Sequence, residues 1–193
     1  MSLRIIGGTF KNRLLKSPTT SLTKPTMSMV RKSVFDICQM CIEDAYFLDL
    51  FACSGAMGIE ALSRGAKQAT FIEKDRKAMR CLEENINTLS LQEQASLVCA
   101  DVFSHIKKLQ EQKKTYDIVY IDPPYPLVES PDKPLIALLE FLDKSSLLTP
   151  SSLVFLEERA PGFFTPSSLT FSRLKHKNTR KFASTLLHQL TFT

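Results

Sequence analysis

The chain has 193 residues, of which 44% are apolar and 23% are charged. This is the composition of an ordinary globular domain that can bury a sizeable core. No apolar run approaches the roughly 20 residues that a membrane-spanning helix needs, and the first residues lack the apolar core of a secretory signal. We therefore expect no association with a membrane.

The net charge of +5 is unevenly distributed along the chain. All 20 acidic residues lie between Asp36 and Glu158, whereas 13 of the 25 lysines and arginines lie outside that range. Because clustered lysine and arginine neutralise phosphates, two basic ends around an acidic centre favour contact with nucleic acid. The alternative is that both ends are simply solvated.

The five cysteines do not indicate a metal site. Cys38 and Cys41 form a Cys-x-x-Cys, but neither a second pair nor a nearby histidine completes a zinc site. Their spacing also fits one face of a helix, so we expect both to be buried free thiols. Unpaired cysteines indicate a reducing, cytoplasmic environment.

The first 44 residues are predicted to form a basic extension. Leu3–Ile6 and Arg13–Lys16 flank the sequence Gly-Gly-Thr-Phe-Lys-Asn, which predicts a short β-hairpin. Apolar residues at helical spacing predict a helix over Met29–Ile42, with Thr26 as a candidate N-cap.

The remainder, residues 45–193, is expected to form the main domain, on which the extension packs. The predicted elements alternate along the chain: Phe47–Phe51 (strand), Met57–Arg64 (helix), Gln68–Glu73 (strand), Asp75–Leu89 (helix), Leu97–Asp101 (strand), Val102–Gln112 (helix), Tyr116–Ile121 (strand), Pro134–Lys144 (helix) and Leu153–Glu157 (strand). Such alternation is typical of a parallel sheet covered on both faces, with ligands bound at the carboxyl ends of the strands. Ser168–Lys175 and Lys181–Leu190, joined by His176–Arg180, predict an antiparallel pair at one edge.

The segment Asp49–Gly58 connects the first strand of this sheet to its helix. Glycines there permit positive φ angles and let a ligand approach the backbone. Cys53 replaces the first glycine of a dinucleotide-binding loop, and no Gly-Lys-Ser/Thr of a phosphate-binding loop is present. An adenosine ligand without phosphates is therefore favoured, and a dehydrogenase is disfavoured.

Four acidic residues end four successive predicted strands: Asp49, Glu73, Asp101 and Asp122. Singly, such acids often cap the following helix, and we expect that role for Asp75. Their recurrence favours one shared site, where Glu73 accepts from two ribose hydroxyls and Asp101 from an adenine amine. S-adenosylmethionine has a ribose, an amine-bearing base and a cationic end, as these carboxylates require.

Asp122-Pro123-Pro124-Tyr125 follows directly on an apolar strand. Prolines lack an N–H and restrict the preceding residue to extended backbone, so the strand must end in a stiff corner. The Asp122 side chain and the Pro123 carbonyl can accept hydrogen bonds from an exocyclic amine, and Tyr125 can stack on a base. An ordinary proline turn is the alternative, but the flanking acid and aromatic ring favour a catalytic site.

The chain resembles the RsmD-type bacterial small-subunit (16S) ribosomal RNA guanine-N2 methyltransferases over nearly its whole length. The residues that carry the resemblance are Arg4–Gly8, Lys24–Thr26, Val30-Arg31, Leu48–Gly55, Glu60–Ala66 and Asp122–Tyr125. Two positions depart from the family's pattern. Cys53 stands where the family usually has glycine, and Phe182-Ala183 stands where Tyr-Gly is common.

The resemblance implies an α/β fold of the class I S-adenosylmethionine-dependent methyltransferases. This fold is Rossmann-like, with a mostly parallel seven-stranded sheet and an antiparallel edge strand, and here it carries a small N-terminal hairpin and helix extension. The implied reaction is methyl transfer from S-adenosylmethionine to N2 of one guanine in small-subunit ribosomal RNA, within an assembling 30S particle. Nothing in the sequence demands more than a monomer.

Three groups of candidate residues follow, and no metal ligand is among them. The catalytic candidates are Asp122, Pro123, Pro124 and Tyr125. The cofactor-binding candidates are Asp49, Phe51, Ala52, Cys53, Ser54, Gly55, Glu73, Lys74, Asp101, Val102 and Asp122. The candidates for RNA phosphates are Arg4, Lys11, Arg13, Lys24 and Arg31. Two alternatives stay open: an adenine-N6 methyltransferase of DNA or RNA, and a non-catalytic RNA-binding protein of ribosome assembly.

Overall fold

The computed structural model describes residues 3–18, 28–124, 134–159 and 171–192, together with Leu127. By its internal contacts the chain divides into two compact units, Met1–Val102 and Phe103–Thr193. Within the described parts, no helix combines the length and apolar character that crossing a membrane requires. The boundary expected after residue 44 is a different division and stays a prediction.

The first unit contains a small hairpin and three parallel strands with their helices. Its elements in chain order are β1 (Leu3–Arg4), β2 (Leu14–Leu15), α1 (Ser28–Cys38), β3 (Tyr46–Leu50), α2 (Ala56–Ser63), β4 (Gln68–Glu73), α3 (Arg76–Thr88) and β5 (Ala95–Cys99). β1 pairs with β2 in antiparallel register, whereas β4 is parallel to both β3 and β5. The predicted hairpin and the strand–helix alternation are therefore confirmed.

The second unit contains the remaining strands. The elements are α4 (Val102–Glu111), which begins at the boundary, β6 (Tyr116–Ile121), α5 (Pro134–Lys144), β7 (Leu148–Arg159), β8 (Leu174–Phe182) and β9 (Thr185–Phe192). β6 and β7 are parallel, and β9 is antiparallel to both β7 and β8.

The strands β3 to β9 form one sheet among the described residues, in the order β5-β4-β3-β6-β7-β9-β8. The sheet is mostly parallel, and its two antiparallel pairings, β7 with β9 and β9 with β8, lie at one edge. This arrangement confirms the predicted Rossmann-like fold. Its central strands are buried because their side chains are apolar on both faces, as Phe47 and Leu48 of β3 illustrate.

Helix α3 begins where the sequence predicts. The Asp75 carboxylate accepts hydrogen bonds from the N–H groups of Lys77 and Ala78, both at 2.8 Å. These donors have no partner within the helix, so Asp75 is the N-cap.

Strand β5 ends earlier than predicted. It stops at Cys99, and the N–H of Ala100 donates to the carbonyl of Glu73 at 3.1 Å. Asp101 therefore lies two residues beyond the strand, in the connection to α4, and the prediction that it ends the strand is wrong.

The predicted turn between the last two strands is also wrong. β8 runs through His176–Arg180, and the turn falls at Ala183 and Ser184. β8 exposes polar or basic side chains along most of its length. It therefore lacks the apolar alternation by which a strand is recognised.

The start of β8 is fixed by a buried carboxylate from α5. Asp143 accepts hydrogen bonds from the N–H groups of Ser172, Arg173 and Leu174 at 2.8, 2.7 and 2.6 Å. The carboxylate thus satisfies three consecutive backbone donors at the point where the edge strand begins.

The cysteines follow the prediction only in part. None of the five cysteines, all of which lie among the described residues, forms a disulfide, and Cys38 is buried as expected. Helix α1 ends at Cys38, however, so Cys41 lies outside the helix and is exposed.

Candidate cofactor site and catalytic segment

The connection from β3 to α2 is a tight loop with unusual backbone angles. Phe51, Cys53 and Gly55 have φ angles of 66°, 50° and 77°, in the left-handed region that glycine alone adopts without cost. The N–H of Gly55 donates to the carbonyl of Ala52 at 2.7 Å, and the N–H of Ala52 donates to the carbonyl of Ile72 at 3.0 Å. The neighbouring strand β4 therefore orders this loop.

Glu73, the last residue of β4, holds the loop with its side chain. Its Oε2 accepts from the N–H of Cys53 at 2.9 Å, and its Oε1 accepts from the N–H of Asp75 at 2.7 Å. A carboxylate offers about four lone-pair directions, so about two stay available. The half-buried side chain can therefore accept from two ribose hydroxyls while it keeps both backbone contacts.

Asp49 lies within β3, and the prediction that it ends a strand at an open rim is wrong. The residue is only 2% exposed, and its Oδ2 accepts from the N–H of Gly58 at 3.0 Å. Burial raises the pKa of this carboxyl to about 8; the hydrogen bond from Gly58 opposes the shift, and the charge of Glu73 adds to it. The contact with Gly58 joins β3 to the first turn of α2.

Asn85 of α3 supports the candidate loop, and no motif in the sequence marked it. Its amide donates to the carbonyls of Ser54 and Lys16, both at 3.0 Å, and its Oδ1 accepts from the N–H of Lys16 at 2.8 Å. The residue is 3% exposed and shares the buried face of α3 with Leu82 and Ile86. A polar residue on an apolar helix face was the signal that could have revealed it.

The other predicted cofactor residues of the first unit follow β4 and β5. The Nζ of Lys74 and the Oδ2 of Asp101 are 3.9 Å apart, and both side chains are partly exposed. Val102 is buried at the start of α4. Since adjacent parallel strands end at the same edge of a sheet, these residues belong to the same edge as Glu73.

The predicted catalytic segment belongs to the second unit. β6 ends at Ile121; Asp122 and Pro124 are half-buried, and Pro123 is buried. The carbonyl of Pro124 accepts from the N–H of Leu127 at 2.9 Å. Tyr125 lies outside the described residues, so its stacking role stays a prediction.

The α2 residues that carried much of the resemblance anchor the N-terminal hairpin. The buried Glu60 accepts from the N–H of Ile6 at 2.8 Å and from Nε of Arg64 at 2.7 Å. The Oγ of Ser63 accepts from the N–H of Phe10 at 2.9 Å. This part of the family pattern thus fixes the basic extension to the sheet's first crossover helix.

The predicted RNA-contacting residues differ in exposure. Arg4, Lys11 and Arg13 are exposed. Arg31 is only 3% exposed and donates from Nη2 to the carbonyl of Arg4 at 2.8 Å, so the expectation that it meets phosphates at the surface is wrong. Lys24 lies outside the described residues.

Known proteins resemble this chain over most of its length. The family model described as Conserved hypothetical protein 95 matches residues 3–188. Ribosomal RNA small subunit methyltransferase D of Haemophilus influenzae is 33% identical over 181 residues, which cover 92% of this chain and 89% of that protein.

Solved structures share the fold. The putative methyltransferase yhhF from Escherichia coli is 28% identical, with a TM-score of 0.82 over 100% of this chain and 98% of that chain. SMU.776, a putative methyltransferase complexed with SAH, is 16% identical, with a TM-score of 0.68 over 94% of this chain and 52% of that chain, and shows the fold alone. The family model spans nearly every residue, and the Haemophilus influenzae relative is matched over most of both lengths. The chain therefore belongs to the Conserved hypothetical protein 95 family, which is the RsmD family of small-subunit ribosomal RNA methyltransferases.

Proposed function

We propose that this protein transfers the methyl group of S-adenosylmethionine to the exocyclic N2 of one guanine in small-subunit (16S) ribosomal RNA. The observation that carries the proposal is the left-handed loop after β3, held by the Glu73 carboxylate, in a chain of the RsmD family. The name of the Haemophilus influenzae relative supports ribosomal RNA as the substrate class. The guanine N2 target rests on the resemblance described above.

The residues of the first unit fit an adenosine-containing cofactor. Glu73 keeps about two acceptor directions for ribose hydroxyls. Asp101 is partly exposed and can accept from an adenine amine. The same fold holds SAH in SMU.776, which supports this cofactor class. When bound, S-adenosylmethionine supplies a sulfonium methyl that is already electrophilic, so the protein's main task is positioning.

Asp122 and Pro123 are proposed to receive the guanine amine. A guanine N2 is a poor nucleophile because its lone pair is conjugated with the ring. Hydrogen bonds from the amine to the Asp122 carboxylate and the Pro123 carbonyl fix its orientation. The negative charge of Asp122 also stabilises the positive charge that develops on nitrogen as the new N–C bond forms, and this charge is lost when the nitrogen releases one of its two protons. Tyr125 is proposed to stack on the base once it has left its helix or loop.

The partner and the setting belong to the same proposal. The exposed Arg4, Lys11 and Arg13, with Lys24, bind RNA phosphates, and the substrate is the RNA within an assembling 30S particle. We expect a monomer acting in the cytoplasm, where its five cysteines stay reduced.

Mapping of methylated nucleosides tests the proposal directly. Small-subunit RNA from cells lacking the protein should lose one N2-methylguanosine, and a plasmid copy of the gene should restore it. Loss of an N6-methyladenosine instead would support the adenine-N6 alternative. An unchanged set of nucleosides, together with no calorimetric binding of S-adenosylmethionine, would support a non-catalytic assembly protein.

Replacing Asp122 tests the proposed catalytic role. Asp122→Asn should lower kcat on small subunits by roughly a hundredfold or more, the usual effect of losing one transition-state contact, and should change cofactor affinity far less. Asp117→Asn, at the other end of β6, is the matched control. A wild-type kcat for Asp122→Asn contradicts the assignment.

Replacing Glu73 tests the cofactor site separately. Glu73→Gln keeps one oxygen for the N–H of Cys53 but removes the charge that the ribose hydroxyls meet. Its dissociation constant for S-adenosylmethionine should rise about tenfold or more. Unchanged affinity in calorimetry would remove Glu73 from the cofactor site.

A further inference from the structure

A basic groove lies beside α3 in the first unit. Its volume is about 230 Å³, and the residues that line it include Lys16, Lys77, Arg80, Cys81 and Glu84. Three cations against one carboxylate give the groove an excess of positive charge, although the central part of the chain is acidic overall. The charge pattern of the sequence pointed to the two ends, and so to Lys16, but gave no indication of Lys77 or Arg80.

The cations of the groove converge from two elements. Lys77 and Arg80 are three residues apart on α3, so they share one face of the helix, and both are exposed. Lys16 reaches the groove from the chain that leaves β2, and its Nζ lies 2.7 Å from Oε2 of Glu84. Since both members of this ion pair are mostly exposed, the pair is weak, and Lys16 can exchange Glu84 for another anion.

The groove is fixed relative to the candidate cofactor loop. Asn85 exchanges hydrogen bonds with both backbone groups of Lys16 and donates to the carbonyl of Ser54 in that loop. One buried side chain therefore couples a wall of the groove to the loop that Glu73 also holds. An anion bound in the groove would lie at a set distance from the cofactor.

We propose that this groove binds the sugar–phosphate backbone of the substrate RNA, and so sets the position of the RNA relative to the cofactor loop. The inference rests on the proposed function for the identity of the partner. Lysine and arginine contacts to phosphate position an RNA and carry no sequence information. The groove therefore contributes to affinity and placement, whereas the choice of base belongs to the catalytic segment.

A pair of arginine variants on one helix tests the groove. Arg80 lines it, whereas Arg76 is exposed on α3 but is not among its lining residues. With small subunits from cells lacking the protein as substrate, Arg80→Gln should raise KM about threefold to tenfold and leave kcat unchanged. The slope of log KM against log salt should fall by roughly 0.7 to 0.9, as expected for one lost phosphate contact. Equal effects from Arg76→Gln would overturn the proposal, because they would reflect net charge alone.

A second pair of variants predicts the opposite sign. Glu84→Gln removes the carboxylate that competes with RNA for Lys16, so KM should fall about twofold or more. Glu83→Gln makes the same charge change at an exposed neighbour outside the groove and should alter KM less. A KM for Glu84→Gln that equals or exceeds that of Glu83→Gln contradicts competition in the groove.

Alkylation gives a readout that does not depend on turnover. Cys81 lines the groove, whereas Cys41 is exposed after α1. Bound small-subunit RNA should protect Cys81 from N-ethylmaleimide more than Cys41, as followed by peptide mass spectrometry. Equal protection of the two thiols by bound RNA would overturn the proposal. Absence of methyl transfer by the unaltered protein would instead refute the proposed function. The RNA affinity of the same variants, measured by filter binding, would then test the groove independently of that function.

Discussion

Replacing Asp49 by asparagine should change how the stability of the protein depends on pH. Asp49 is buried in β3, where burial raises the pKa of its carboxyl to about 8 despite the hydrogen bond from Gly58. An aspartate in an unfolded chain has a pKa of about 4. Between these values the folded protein holds a proton that the unfolded chain has released, so the free energy of unfolding falls as the pH rises.

The size of the effect follows from this proton difference. The Asp49 contribution is fully present below about pH 4 and is lost as the pH rises to about 8, by at most about 1.4 kcal/mol for each pH unit. Asparagine is neutral throughout and keeps an oxygen for the N–H of Gly58. The unfolding free energy of Asp49→Asn minus that of the wild type should therefore increase by about 3 kcal/mol from pH 5 to pH 7.

Urea denaturation followed by far-ultraviolet circular dichroism measures this difference at each pH. Asp36→Asn removes the same charge from an exposed position of α1 and serves as the control. Groups other than Asp49 titrate in wild type and variant alike, so they cancel in the subtraction. A difference between wild type and Asp49→Asn that stays constant from pH 5 to pH 7 would refute the reasoning, because Asp49 would then carry the same charge in both states.

Four further substitutions have defined outcomes. Asn85→Ala leaves the buried carbonyl of Ser54 without its donor, so the free energy of unfolding measured in urea should fall by about 2 kcal/mol. Calorimetry should show a weaker affinity for S-adenosylmethionine. Unchanged values for both would contradict the coupling. Asp143→Ala removes the acceptor of three backbone N–H groups and should lower the free energy of unfolding by about 3 kcal/mol at pH 7 in the same assay. The loss should become smaller in acid, because the wild-type carboxylate is then protonated. Ala183→Gly removes a β-carbon from left-handed backbone and should raise the melting temperature by a few degrees. Cys53→Gly should act in the same direction. A lower melting temperature for Ala183→Gly would contradict this explanation.

Some elements could be bounded from the sequence to the residue. Gln68–Glu73, Tyr116–Ile121 and Pro134–Lys144 are found as predicted. Each is a strongly apolar or amphipathic run, and two of them are followed closely by residues that stop a strand: the N-cap Asp75 after β4 and the diproline after β6. Local chemistry alone decides these boundaries.

Other features depend on partners that are distant in sequence. The sequence of β8 looks like that of a loop. The segment is held as a strand by its pairing with β9 and by the hydrogen bonds of its first residues to Asp143. Arg31 looks like a surface cation, but it is buried against the carbonyl of Arg4, 27 residues away. No local pattern reveals either arrangement, because tertiary contacts override it.

The candidate site divides in the same way. The sequence places Glu73 at a strand end beside a glycine-containing loop, and both lie there. The linking role of Asn85 could not be predicted, since its two partners are 69 and 31 residues away. Asp49 looks like another strand-end acid, yet it lies within β3 and is only 2% exposed. Acids that look alike in the sequence therefore have different roles. Glu73 ends its strand and holds the candidate loop, whereas Asp49 lies inside its strand and is buried.

The two departures from the family's glycines have one physical explanation. Cys53 and Ala183 have φ angles of 50° and 49°, so the chain keeps the left-handed backbone that suits glycine while it adds a β-carbon at both positions. Such a residue costs about 1 kcal/mol and persists only where its surroundings hold it. At Cys53 the Glu73 carboxylate holds the backbone N–H, and at Ala183 the pairing of Phe182 with Thr185 closes the turn. In the candidate cofactor loop the contact to Glu73 comes from the backbone of Cys53, so a cysteine in place of glycine leaves that contact intact. We therefore expect this replacement to change the stability of the loop more than its affinity for the cofactor.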